Sequence, residues 1–457
     1  SIMATFRTFS GINDSLIESK PRVRHGEPDR DQIIKAIRED IIGTVNMTNG
    51  PFGNKPIIYA DWTASGRGMN RIELYLQHEV LPLYGNTHTS TSITGHQSTC
   101  FRAEARQIVA QAVNAKVTGK AADDVVLFVG NGTTAAVDKL VESFGFVQGC
   151  DENLRPVVFV SSYEHHSNLL PWRETSAEVV IVAYSSVSGV CLADLLSKLQ
   201  RYQSRPVKVG AFSACSNVTG ILTDVDEVSI LLHRHGAYAV FDYASAAPYV
   251  KMDMNPVLPG HPFGPLAYKD ALFFSGHKFL GGPGCPGVLV AKKALLPSLE
   301  DPPTSPGGGT VFYVTEGHHR YLSNLEEREE AGTPQLLGDV KMGLAMNVKQ
   351  SVGESSPLSI WQRRSRPSLL RGRLDRGGGA AAVGGPPRPT GRHPQPRRAG
   401  PPQPRRQQTA GPPPAHLLLP RSPRTQVPAL PLRGRAAQRS VRGAVQRCAV
   451  SARPLHP

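Results

Sequence analysis

The chain has 457 residues, 40% of them hydrophobic, enough for a large α/β domain with a buried core and a smaller part beside it. Its six cysteines (Cys100, Cys150, Cys191, Cys215, Cys285 and Cys448) include no CxxC pair, which argues against a disulfide framework and a structural zinc site. The net charge of +14 is not spread over the chain: residues 361–457 hold 20 arginines, no lysine and one acid, a local +19, and residues 1–360 carry −5.

Residues 1–54 form an N-terminal segment without the apolar core of a signal peptide, and no apolar run approaches the roughly 20 residues of a membrane helix. The expectation is an intracellular, cytoplasmic protein with reduced thiols and no membrane partner. From 55 to 352 short β-branched or aromatic runs recur: "VVLFVG" 125–130, "VVFVSS" 157–162, "VVIVAY" 179–184, "VKVGAFSA" 207–214, "YAVFDY" 238–243, "ALFFSG" 271–276 and "GVLVAK" 287–292. Amphipathic stretches such as "AVDKLVESFG" and "LADLLSKLQRY" lie between them at spacings suited to crossover helices. That rhythm predicts a mainly parallel sheet with helices on both faces.

Residues 353–457 change character. Residues 376–408 are almost all Arg, Pro, Gly, Ala and Gln, and 18 of the 39 prolines fall from position 361 onward. Such a segment cannot offset its ordering entropy by burial and is expected to be disordered. The switch to arginine alone falls in mid-pattern after "VKQSVGESSPLSIWQ", as it would in a GC-rich coding region translated out of frame, which resequencing the transcript would settle. If the tail is genuine, its positive charge would bind nucleic acid only non-specifically, as it would any polyanion.

The stretch "FFSGHKFLGGPGCPG" 273–287 sets one lysine, Lys278, between an apolar run and a glycine-rich turn. A lysine there is costly unless it has a task, and an amine that acts on carbonyl chemistry works as a Schiff base, most often with pyridoxal phosphate. That cofactor needs a carboxylate at its ring nitrogen, a flat stacking partner and backbone donors for its phosphate. Asp242 ends an apolar strand in "YAVFDYASAAP", His165 and His166 follow another in "VVFVSSYEHHSNLLPW", and Gly132, Thr133 and Thr134 open a helix after "VVLFVG". The turn "GNGTTA" also fits the loosened dinucleotide pattern G-x-G-x-x-A, so a nicotinamide or flavin oxidoreductase is a rival reading. It lacks a convincing acid on the next strand and leaves Lys278 unexplained.

Taken in order, these residues resemble the class V aminotransferase family of fold-type I pyridoxal-phosphate enzymes, in particular its cysteine desulfurase and selenocysteine lyase branch. The resemblance covers roughly residues 55–350. "IIYADWTASG" 57–66 is similar to the family's opening strand and "YGNTHTSTSITG" 84–95 to its substrate-side loop; "GNGTTAAV", "EHHSNLLPW", "SACSNVTG", "FDYAS", "SGHK", "PGGGTV" and "EEREEAGTP" follow in register. It implies Lys278 as the Schiff-base lysine, His165 stacked on the ring, Asp242 at the ring nitrogen, Asn217 near the phenolic oxygen and Ser245 in place of the usual second ring contact. Gly132, Thr133, Thr134, Ser275 and His277 would hold the phosphate, and Thr310 would reach that of the partner subunit, implying a homodimer. The implied substrate is an amino acid, with a sulfur acceptor protein as a further partner and class V transamination as the alternative. The region of the family's nucleophilic cysteine and substrate-binding arginine is here the Arg/Pro tail, and neither Cys448 nor Cys285 matches that loop. The chain also reads, alternatively, as a catalytically impaired homologue lacking the small domain.

Overall fold

The computed structural model describes residues 30–88, 91–146 and 152–353; Cys150, Cys448 and the expected tail lie outside the described residues. Seven apolar runs form one sheet: β1 Asp124–Val129, β2 Val157–Ser161, β3 Glu178–Val182, β4 Lys208–Ser213, β5 Tyr238–Asp242, β6 Ala271–Ser275 and β7 Gly287–Lys292. Their order is β1-β7-β6-β5-β4-β2-β3, with β6, β5, β4, β2 and β3 parallel to their neighbours. Strand β7 runs antiparallel to both β6 and β1. The reason is local: residues 276–286 contain only a 3₁₀ turn, and without a crossover helix the chain returns in the opposite direction. The fold has the expected mainly parallel sheet with helices on both faces.

Apart from the edge strand β3, whose Ile181 is exposed, the strands are largely buried on both faces, so their runs are continuous rather than alternating. On one face Val125, Leu127 and Val129 of β1 pack with Ala136, Val137 and Leu140 of α2 (Gly132–Phe144). On the other, Val126, Phe128, Phe212, Phe241 and Phe274 meet α1 (Ile93–Ala112), α3 (Leu192–Arg201), α4 (Val225–Arg234) and α5 (Leu336–Val352). The opening segment departs from expectation. Residues 57–60 join no strand, and Ile58 is exposed; the short ribbon ahead of them, Met47–Gly50 with Gly53–Pro56, pairs only with itself.

A buried ion network fastens the last described segments to this frame. Glu330 accepts from Arg102 and Arg106 of α1 and, at 2.6 Å, from the Phe128 amide of β1; Arg102 also pairs with Asp339 of α5 at 2.7 Å. Burial alone would raise the Glu330 carboxyl, but Arg106 and Arg102 hold it below its usual range. Glu330→Gln is therefore expected to cost about 3 kcal/mol at neutral pH, because the buried Arg106 guanidinium loses its paired carboxylate and Arg102 keeps only Asp339. With a depressed folded-state pKa, that contribution is present above the ordinary carboxylate range and lost on acidification through the folded value. Denaturant midpoints of both proteins, near neutral and at acid pH, check it.

Candidate active site

The strand register gathers the candidate residues at one edge of the sheet. Asp242 at the end of β5 lies beside Ser213 at the end of β4 and Phe273 of β6. Ser275 at the end of β6 faces Gly287, which faces Val129 at the end of β1. This is the carboxyl end of the parallel strands, where open α/β sheets bind ligands.

Directly after β1 the chain turns into α2. Gly132 has φ +64°, and a Cβ there would lie 2.9 Å from the Ser275 hydroxyl, so the position takes glycine for both conformation and space. The Thr133 amide donates to Ser275 Oγ at 2.8 Å, and the two hydroxyls share a hydrogen bond of 2.7 Å. Thr134 Oγ1 meets Ser167 Oγ at 2.8 Å, which ties this turn to the loop of His165. The first amides of a helix lack intrahelical acceptors, and its N-terminal dipole favours an anion. Beside them His277 contacts Ser65 Oγ at 3.4 Å; burial first, then the charge of Lys278, holds its pKa below the ordinary value.

Lys278 closes the 3₁₀ turn Gly276–Lys278, half-buried, with no hydrogen bond or ion pair among the described residues. Burial depresses its pKa, opposed by the charge of Asp242. Asp242 is 4% exposed, and its Oδ1 accepts the Ala244 amide at 2.7 Å; Oδ2 has no hydrogen bond among the described residues. Burial pushes this carboxyl up to about 7, with Glu164 adding to the rise and Lys278 opposing it. His165 is exposed, and its Nδ1 accepts the Ser167 amide at 3.2 Å, which places the proton of the neutral ring on Nε2. Burial, Lys278 and His166 all hold its pKa down. An amine, a carboxylate and a neutral flat ring thus converge beside a helix N-terminus.

The family model for aminotransferase class-V matches residues 58–364, two thirds of the chain. The chain belongs to the class-V aminotransferase family. A protein of Halalkalibacterium halodurans called a probable cysteine desulfurase is 26% identical over 302 residues, covering 65% of this chain and 68% of that one. A cysteine desulfurase of Synechococcus elongatus is 28% identical over 333 residues, covering 70% of this chain; the match spans 47% of the Synechococcus protein, about half its length. The solved apo structure of a cysteine desulfurase from Thermococcus onnurineus NA1 shares the fold, with a TM-score of 0.57 at 22% identity over 75% of this chain and 76% of that one.

Three further expected site residues of this class-V chain have local partners or exposure of their own. The Ser245 hydroxyl donates to the Cys215 carbonyl at 2.6 Å, so it is committed to the backbone. Asn217 is exposed in the turn that follows β4. Thr310 is buried and donates to the Gly307 carbonyl at 2.6 Å within its own loop. Cys285 is a buried thiol whose pKa burial pushes far up, and Cys215 is likewise raised by burial, so neither is an activated nucleophile.

Two contributors lie inside the family-like motifs, yet the resemblance assigns them no role. Ser65 donates to the His277 carbonyl at 3.2 Å, and the Gly66 amide donates to the same oxygen at 2.9 Å, so residues 61–66 clamp the turn that carries Lys278. A Cβ at Gly66 would lie 1.9 Å from the Phe279 carbonyl oxygen, which explains the glycine. Glu164 is the other; it opens the motif "EHHSNLLPW", directly ahead of His165 at a strand end.

Proposed function

We propose that this chain is a pyridoxal-phosphate enzyme that acts on an amino acid, cleaving a carbon–sulfur or carbon–selenium bond as cysteine desulfurases do. The observation that carries the reading is the pairing of an unpartnered half-buried amine, Lys278, with a buried carboxylate, Asp242, whose Oδ2 has no hydrogen bond among the described residues. The residues fit the cofactor. Asp242 suits a cationic ring nitrogen, and the amides and hydroxyls of Gly132, Thr133, Thr134 and Ser275, with His277, suit a phosphate. The exposed face of His165 suits the ring, and Asn217 the phenolic oxygen; Lys278 would join the aldehyde carbon.

When bound, pyridoxal phosphate supplies the electron sink that stabilises negative charge at the substrate Cα. The protein's part is proton handling and placement. Lys278 Nζ, its basicity already lowered by burial, takes the Cα proton. Asp242 holds a proton on the ring nitrogen, and His165, neutral, presents its ring without adding charge.

The domain that does this is residues 55–352, and we assign it to a homodimer. Thr310 leads into the ribbon Val311–Val314 with His319–Tyr321, whose Phe312, Tyr313 and Val314 are exposed; a second copy of the chain would cover them. The kinship with proteins named cysteine desulfurase favours cysteine or selenocysteine as substrate and a protein as sulfur acceptor.

The test is absorption spectroscopy of the purified chain with added pyridoxal phosphate, followed by cysteine. A new visible band and release of sulfide are expected. Transamination without sulfide would put the aminotransferase reading first, and a folded protein that gives no band would sink the cofactor reading.

A further inference from the structure

Glu164 lies between strand β2 and His165 and receives five hydrogen bonds. Its Oε1 accepts from the Ser161 amide at 3.3 Å, the Ser161 hydroxyl at 2.6 Å and the Ser213 amide at 3.0 Å. Its Oε2 accepts from the Ser213 hydroxyl at 2.6 Å and from Asn168 Nδ2 at 2.8 Å. The Asn168 amide is oriented by Trp172, whose Nε1 donates to Asn168 Oδ1 at 3.3 Å. Ser161 Oγ itself accepts the Tyr163 amide at 3.2 Å, which aims its own proton at Glu164.

Three of the five donors are N–H groups, which cannot accept, and each carboxylate oxygen faces at least one of them. Burial opposes charge at Glu164 and shifts its pKa upward, but this donor cage, drawn from the ends of two strands and the His165 loop, is built for an anion. A glutamine could still accept the backbone donors. What the carboxylate adds is charge; its donor Ser213 is the register neighbour of Asp242, and that charge acts on Asp242. Lys278 is the one cation that acts on Asp242 among the groups that shift it. The Glu164 carboxylate and the raised, ionisable Asp242 carboxyl, with one half-buried amine acting on Asp242, make a site that gains when a further cation enters.

Resting on the pyridoxal-phosphate reading, we propose that Glu164 is a positioning residue whose negative charge acts through Asp242 to hold a protonated ring nitrogen in the site. It touches neither substrate nor cofactor.

The test compares dissociation constants of two probes, pyridoxal phosphate and its carbocyclic analogue with CH in place of the ring nitrogen. In Glu164→Gln, pyridoxal phosphate is expected to bind about tenfold more weakly than in wild type, and the analogue to bind unchanged. Ser213→Ala, which removes one donor and keeps the charge, retains the wild-type preference between the probes. Equal losses for both probes in Glu164→Gln would mean that Glu164 is a scaffold only and overturn the proposal, as would no loss for either. Should the glutamine variant not fold, Glu164→Ala with added acetate is read instead: a preference for pyridoxal phosphate restored by acetate but not by acetamide supports the role, and no rescue overturns it. A folded wild-type protein lacking any Lys278-dependent band would overturn the cofactor reading, and this assignment with it, before any variant is compared.

Discussion

Lys278→Ala is expected to abolish the visible band formed with pyridoxal phosphate and to lower amino-acid turnover by about a thousandfold or more. The size follows from two losses at one atom. The amine is the covalent anchor for the cofactor's carbonyl carbon, and it is also the base for the Cα proton, a role worth roughly 10²–10⁴-fold alone. The structure suits Lys278 to both tasks: Nζ has no hydrogen bond or ion pair among the described residues, and burial makes its proton easier to lose. The fold should survive, since the substitution removes a half-buried charge that Asp242 only partly compensates. Lys293→Ala serves as the control, because that side chain donates to the Ala122 carbonyl at the far end of β7. Absorption spectra and single-turnover rates of the three proteins decide it. A band that persists in Lys278→Ala would move the anchor to another lysine.

Much of this site is legible in the amino-acid order, because its chemistry sits at strand ends and apolar runs mark where strands end. Lys278, Asp242, His165 and the Gly132–Thr134 turn each follow an apolar run, and a parallel sheet brings all such ends to one edge. What stays hidden depends on register and on space. Glu164 gains its meaning only when β2 and β4 lie side by side and bring Ser161 and Ser213 to one carboxylate. The pattern of residues 276–284 does not show why its glycines are glycine. Two glycines of this stretch serve packing: a Cβ on Gly282 would lie 2.1 Å from the Gly276 carbonyl oxygen, and one on Gly276 would lie 2.5 Å from Cys285 Cβ. Ser245 has a hydroxyl suited to a ring contact, but the neighbouring Cys215 carbonyl takes it. The pattern of residues 57–60 looks like a strand, yet no neighbour offers them a ladder.

Asp242→Asn is expected to make the cofactor-free protein more stable near neutral pH while crippling the loaded enzyme. In the folded chain burial holds the Asp242 carboxyl protonated up to about 7, whereas in the unfolded chain it titrates near 3.8. Between those values the folded state binds more protons, so stability falls as pH rises, by as much as roughly 4 kcal/mol once pH exceeds the folded value. Asparagine cannot ionise, and its Oδ1 can still accept the Ala244 amide. The variant should therefore unfold at the higher temperature near pH 7, and the gap should close as pH falls toward 4. Asp339, also pushed by burial up to about 7, titrates in the same window but is common to both proteins and cancels in the comparison. With pyridoxal phosphate present the sign reverses, because wild type regains through the ring cation what it loses by burying an anion, and the variant cannot. Melting temperatures of both proteins, with and without cofactor near pH 7 and near pH 4, separate the effects. Equal melting of the cofactor-free proteins at both pH values would show that Asp242 carries no burial cost, and the case for a missing cation at its Oδ2 would fall with it.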